Sequence, residues 1–241
     1  MRAQTIQGII RRRMLVNFCV DPKIAQRRLP PHFRPKLHNG FAVAGICLIR
    51  LEQMRPKPLP SFLGLGSENA AHRMAVVWDE PAGGIGEGVF VVRRDTNSVI
   101  NTVAGGKLFP GEYHIADFEV KDSGQDIDFK MKSRDGEASV RLRARIGNTL
   151  PAASQFTDLA TASDFFESGS LGYSATRDNR RLEGMILKTK TWRIEPLEVG
   201  EVYSSYFADE RMFPAGSIYF DSALLMRNIE HEWQSAPDLH L

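Results

Sequence analysis

Residues 138–146 run Ala-Ser-Val-Arg-Leu-Arg-Ala-Arg-Ile, and that pattern leaves the backbone little choice. Val140, Leu142, Ala144 and Ile146 recur at every second position, with Arg141, Arg143 and Arg145 between them. A strand sends successive side chains to opposite faces, whereas a helix would scatter these residues around its circumference. The segment is therefore a strand with one apolar and one solvated face. Residues 126–132 alternate in the same way, and Asp135-Gly136 between the two is a hairpin signal. A solvated arginine row is the preferred reading here over an anionic partner.

Strand character continues along the chain. Residues 5–20 form an extended run interrupted by Arg11-Arg12-Arg13. There Met14, Val16, Phe18 and Val20 alternate with Leu15, Asn17 and Cys19, which suits a strand covered on both sides. Residues 41–51 follow an Asn39-Gly40 turn, and Gly45 within them marks a bend or a close backbone approach. Further strands are expected at 74–78, 89–94, 97–103, 113–121, 171–176, 181–192 and 199–207, with a last structured segment at 217–233. Helix is confined to a short piece starting at Asp21-Pro22 and one turn at 163–167. Residues 54–66, with three prolines and two glycines, read as an irregular loop, and 236–241 as a frayed tail. With no repeat and no linker, the expectation is a single, mainly antiparallel β domain over 1–241, closed or nearly closed to protect its edges.

At 241 residues the chain can bury a large core without staples. Its 31 basic and 29 acidic residues balance to +2, which argues against a nucleic-acid or membrane partner. Cys19 and Cys47 each sit in an apolar run and read as two buried thiols rather than a disulfide. No stretch is apolar for long enough to be a signal peptide or a membrane span, so a cytoplasmic setting is expected.

Familiar motifs fail in turn. Gly84-Ile85-Gly86-Glu87-Gly88 does not open a helix in a βαβ context and reads as a glycine-rich turn. No pair among the six histidines has helical metal spacing and there is no Cys-x-x-Cys, so no metal is expected. No Gly-x-Ser-x-Gly elbow is present. What remains are charges where apolar residues would be expected: Arg11 ahead of a buried strand, Glu68 and Arg73 leading into residue 74, and Lys107, Glu112, Tyr113 and His114 in the stretch 104–114. That stretch, Ala-Gly-Gly-Lys-Leu-Phe-Pro-Gly-Glu-Tyr-His, packs poorly as core and suits a loop or a pocket wall.

Asn17-Phe18-Cys19-Val20-Asp21-Pro22, Leu29-Pro30-Pro31-His32-Phe33, Asn39-Gly40-Phe41-Ala42, Glu68-Asn69 with Arg73, and Phe109-Pro110-Gly111-Glu112-Tyr113-His114 follow one another in this order. Trp192 and Tyr219-Phe220 complete the set. Together they resemble the uncharacterised bacterial YqjF-like family of the acetoacetate decarboxylase-like superfamily. The resemblance implies a β-barrel or double-barrel cone with few short peripheral helices, enclosing a small-molecule pocket, in a homo-oligomer without a cofactor. In the decarboxylases a lysine after the Phe/Tyr-Pro step forms a Schiff base, and a second lysine lowers its pKa. Here Phe109-Pro110 is followed by Gly111-Glu112, so both lysines are missing at those positions. The resemblance places Arg11 and Glu68 at the pocket. The expected ligand is thus a small anionic or carbonyl compound held by Arg11, Arg73, Tyr113 and Lys107, with Glu68, Glu112 or His114 handling protons. Two alternatives stand beside it: a decarboxylase using Lys107, and a non-enzymatic sensor or assembly protein.

Overall fold

The computed structural model describes residues 5–99 and 110–240. It is built almost wholly of strands: β1 (Ile6–Val20), β2 (Arg34–Pro35), β3 (Leu37–His38), β4 (Phe41–Pro56), β5 (Leu65–Asp79), β6 (Ile85–Thr96) and β7 (Tyr113–Asp122). They continue as β8 (Asp126–Ser133), β9 (Ser139–Ile146), β10 (Leu171–Ala175), β11 (Arg181–Thr189), β12 (Glu195–Ser204) and β13 (Ile218–His240). The described helices are α1 (Pro22–Gln26) and α2 (Leu159–Ser168). The mainly β class expected from the alternation is what the structure has.

The strands form a 13-stranded sheet whose pairings close on themselves. One circuit runs β6-β7-β8-β9-β12-β13-β1-β4-β5 and returns to β6. A second route joins β13 to β6 through β11 and β10. The central strands β1, β4, β5 and β13 therefore have apolar residues on both faces, as the paired alternation at residues 14–20 requires. Met14, Val16, Phe18 and Val20 pack in one core cluster with Ile46, Leu48, Met74, Phe129 and Leu142. Ile10, Leu15, Cys47, Ile49, Leu224 and Met226 pack in another, under Ala162 and Phe166 of α2. Each fully buried large apolar side chain stabilises the fold by about 1.5–3 kcal/mol.

Gly45 is where β4 crosses close to β1: a Cβ there would lie 2.5 Å from the Val16 carbonyl oxygen. Asn39 and Gly40 form a turn with both φ angles positive, 47° and 83°.

Four expectations need correction. The strand expected at 97–103 is not one where it is described: β6 ends at Thr96, because Asn97 N–H turns to Glu68 O and Ser98 N–H to Thr96 Oγ1. Residues 100–103 lie outside the described residues. The tail expected to fray is paired instead, with Leu182 opposite Leu239 and Gly184 opposite Ala236. The proline loop is shorter than expected, since β4 runs to Pro56 and β5 starts at Leu65. The single turn at 163–167 is a ten-residue helix capped by Asp158, whose side chain accepts from Thr161 N–H at 2.7 Å. Among the described residues no helix is long and apolar enough to cross a membrane.

Candidate functional site

Three consecutive arginines on β1 meet three environments. Ile10 pairs with Leu51 and Arg12 with Arg50, so Arg11 is the extra residue of a bulge and faces no β4 residue. It turns outward, its side chain 46% exposed, and pairs with Glu52 at 2.7 Å and Asn228 Oδ1 at 2.8 Å. The pocket position expected for Arg11 is thus corrected: the bulge sends it to the surface.

Arg12 faces the first core cluster and is 3% exposed. Its Nη2 lies 2.8 Å from Glu68 Oε2, and its Nη1 3.4 Å from Asp122. Arg50 reaches the other Glu68 oxygen at 3.2 Å, and Arg227 holds Asp122 at 2.8 Å. Glu68 is therefore the buried counter-charge of an arginine cluster, not a group facing the cavity described next.

Arg13 faces the second cluster. It lines an apolar cavity of about 80 Å³ with Cys47, Ile49, Leu51, Tyr113, Met185 and Trp233. Its Nε lies 3.3 Å from Cys47 Sγ, its Nη1 4.0 Å from Met226 Sδ, and its guanidinium carbon 5.8 Å from the Trp192 ring centre. Among the described residues no carboxylate forms an ion pair with it. Arg13 is half-buried, so its guanidinium faces the apolar lining without a counter-ion from the described residues.

The entry to β7 adds Pro110 and Tyr113 to this lining. Gly111 allows this: its φ of +77° suits glycine, and a Cβ would stand 2.6 Å from Ser174 Cβ. Its N–H donates to the buried Glu183 carboxylate at 3.0 Å. Arg94, tethered to Ser174 Oγ at 3.1 Å, sits 5.7 Å from the Tyr113 ring centre. Burial raises the Tyr113 hydroxyl above its ordinary range, and Arg94 offsets part of that. Asp95 also lines this cavity; burial raises its carboxyl, and Arg93 at 2.9 Å counters part of the rise.

Alternation about Tyr113 separates its two chain neighbours from the cavity. Glu112 and His114 point away from Tyr113 into a polar depression of about 190 Å³ with Arg93 and Arg177. Glu112 pairs with Arg177, and His114 Nδ1 lies 2.9 Å from Asp135 Oδ2. Burial would push Asp135 up, but hydrogen bonds from Ser133, Glu137 N–H and Arg93 hold it well below the carboxylate range. The expected acid-base set of Glu68, Glu112 and His114 is therefore not brought together. Arg73 lies on the same face of the sheet as Cys47 but is no wall of the cavity. It is 4% exposed and donates to Asn17 Oδ1 at 2.9 Å. Lys107 lies outside the described residues.

Volume alone does not find this chemistry. A depression of about 560 Å³ is an open groove along the Arg143 and Arg145 row. Its two arginines are already paired, Arg145 to Glu198 and Arg143 to Glu201, in keeping with a solvated face. The residues that matter most at the apolar cavity, Arg13, Cys47, Arg94 and Trp233, were not singled out by the sequence motifs. Arg13 was visible only as one of a triplet, and nothing in the sequence announces the bulge that separates it from Arg11.

The closed sheet has an acetoacetate decarboxylase-like fold. The acetoacetate decarboxylase of Legionella pneumophila superposes with a TM-score of 0.58 at 14% identity, over 98% of this chain and 88% of that one. An acetoacetate decarboxylase-like enzyme from Sphingomonas wittichii RW1 gives 0.56 at 12%, over 100% and 93%. The enduracididine biosynthesis enzyme MppR, solved with pyruvate, gives 0.54 at 9%, over 98% and 89%. Within this class the chain belongs to the DUF2071 family, described as an uncharacterized conserved protein and matched over residues 9–222. No curated protein matches the sequence.

Proposed function

We propose that residues 1–241 act as one domain that holds a small anionic or carbonyl compound in the cavity beside Arg13, without Schiff-base chemistry. The observation that carries this reading is the Arg13 guanidinium, which lines a largely apolar cavity, contacts Cys47, Met226 and Trp192, and forms no ion pair with a carboxylate among the described residues. A carboxylate would supply the missing charge and accept paired N–H donors. Tyr113 and Arg94 also line the cavity, and about 80 Å³ suits a ligand of a few heavy atoms. The relative MppR was solved with pyruvate, a ligand of this size and charge. The Schiff-base route loses support because Gly111 and Glu112 follow Phe109-Pro110, and no lysine is among the described residues lining the cavity.

The test is thermal shift with pyruvate, acetoacetate and propionate on the natural protein and on Arg13→Gln. Saturation at one hundred times Kd adds about 2.7 kcal/mol, or roughly 5–10 °C for a chain of this size. A rise in the natural protein that Arg13→Gln abolishes supports the reading. No rise with any of the three counts against it.

A further inference from the structure

Cys47 occupies the centre of a small grid on the cavity side of the sheet. It pairs with Leu15 on β1 and Ala71 on β5, so Arg13 and Arg73 are its diagonal neighbours on either side. Arg13 Nε reaches its sulfur at 3.3 Å. Arg73 is 4% exposed, its Nε has no partner among the described residues, and the Arg13 charge acts on it. Burial first, and then the repulsion from Arg13, push the Arg73 guanidinium down to about 10. Among the described residues neither arginine has a carboxylate partner. Arg13 and Cys47 thus line the cavity with Arg73 buried beside them, and the one carboxylate in that lining, Asp95, is paired with Arg93 instead. Cys19 makes the contrast. It is 1% exposed, donates to Asp221 at 3.6 Å, and is pushed up to about 12 by burial and by that carboxylate.

Resting on the pocket reading above, we propose that Cys47 is a nucleophilic site for small electrophiles that carry a carboxylate. Arg13 holds the carboxylate, and the electrophilic carbon is presented to sulfur. With an α-aldehyde or α-keto acid the C–S bond forms as the carbonyl π pair moves to oxygen. The thiol proton ends on that oxygen, so the adduct is a thiohemiacetal and no oxidant is needed. With an alkyl halide the S–C bond forms, the carbon–halogen bond breaks, halide leaves and the thiol proton goes to solvent.

Two alkylating agents that differ only in charge test this on the folded protein. Iodoacetate carries the carboxylate, and iodoacetamide is its neutral analogue. Peptide mapping over time gives the rate at each cysteine. Cys47 is expected to react about tenfold faster with iodoacetate, with Cys19 unmodified. Arg13→Gln is expected to reverse the preference, and Arg13→Lys, which keeps the charge, to retain it. Circular dichroism establishes that each variant is folded. Equal or faster reaction with iodoacetamide in the natural protein, or no reaction of Cys47 with either reagent, overturns the inference. If that happens while pyruvate still raises the Tm in an Arg13-dependent way, the thiol assignment falls and the pocket stands. If pyruvate also fails to stabilise the protein, both fall.

Discussion

The Arg12 guanidinium lies 2.8 Å from the Glu68 carboxylate, with 3% and 7% of the two side chains exposed. One residue further on, Arg13 has no carboxylate partner among the described residues. Neighbours in the chain thus do opposite work: one ties the sheet together, the other leaves a positive charge unanswered at a cavity.

Glu68→Gln removes the charge but keeps the shape. It leaves Arg12 with only Asp122 at 3.4 Å. Breaking a buried pair costs about 3–5 kcal/mol, and the Asp122 contact puts this variant at the lower end. Urea denaturation should show that loss, while pyruvate binding corrected for stability stays unchanged. A selective loss of binding with full stability would return Glu68 to the pocket.

Stability should fall on mild acidification because two histidines are buried neutral. Burial, with repulsion from Arg93, pushes His72 from 6.5 down to about 3. Burial also pushes His231 to about 4, although backbone carbonyls at Ile229 and Gly8 pull the other way. The unfolded chain therefore takes up protons first as pH falls. Their contribution is complete above about 6.5 and is lost between there and roughly 3–4. Denaturation midpoints at pH 7.5 and 4.5 check the sign, and His72→Leu should flatten the slope in that window. An unchanged slope would contradict the assignment.

Gly111→Ala should strain the entry to β7. Its φ is +77° and the added Cβ meets Ser174 Cβ at 2.6 Å. A cost of roughly 1–3 kcal/mol follows, with weaker ligand binding because Tyr113 is two residues away. Thermal unfolding measures the first and a pyruvate titration the second. A variant as stable and as tight as the natural protein would show that this backbone shape is dispensable.

Borohydride reduction in the presence of acetoacetate should leave the protein mass unchanged, since the reading includes no imine. Mass spectrometry reads this directly. A mass increase mapped to Lys107 would establish the decarboxylase alternative instead.

Much of the fold was legible because period-two alternation is a local signal. The strand 139–146, the turns at Asn39-Gly40 and Asp135-Gly136, and the close approach at Gly45 all follow from residue chemistry. The tail is not legible because its order comes from pairing with β11, distant in the chain, and not from its own composition. The site was less legible for a sharper reason. In a strand, a displacement of one residue exchanges the faces. Regular alternation counted back from Leu15 would put Arg11 on the same face as Arg13; the bulge takes Arg11 off that face and leaves Arg13 there, and alternation from Tyr113 sends Glu112 and His114 elsewhere.

Pyruvate titration followed by nuclear magnetic resonance, run in parallel on the natural protein, Arg11→Gln and Arg13→Gln, tests the central claim most directly. The natural protein and Arg11→Gln should bind alike, and folded Arg13→Gln should lose at least about tenfold in affinity, the loss expected for a charged hydrogen bond of 1.5–3 kcal/mol. Equal binding by Arg13→Gln, or loss through Arg11→Gln instead, would contradict it.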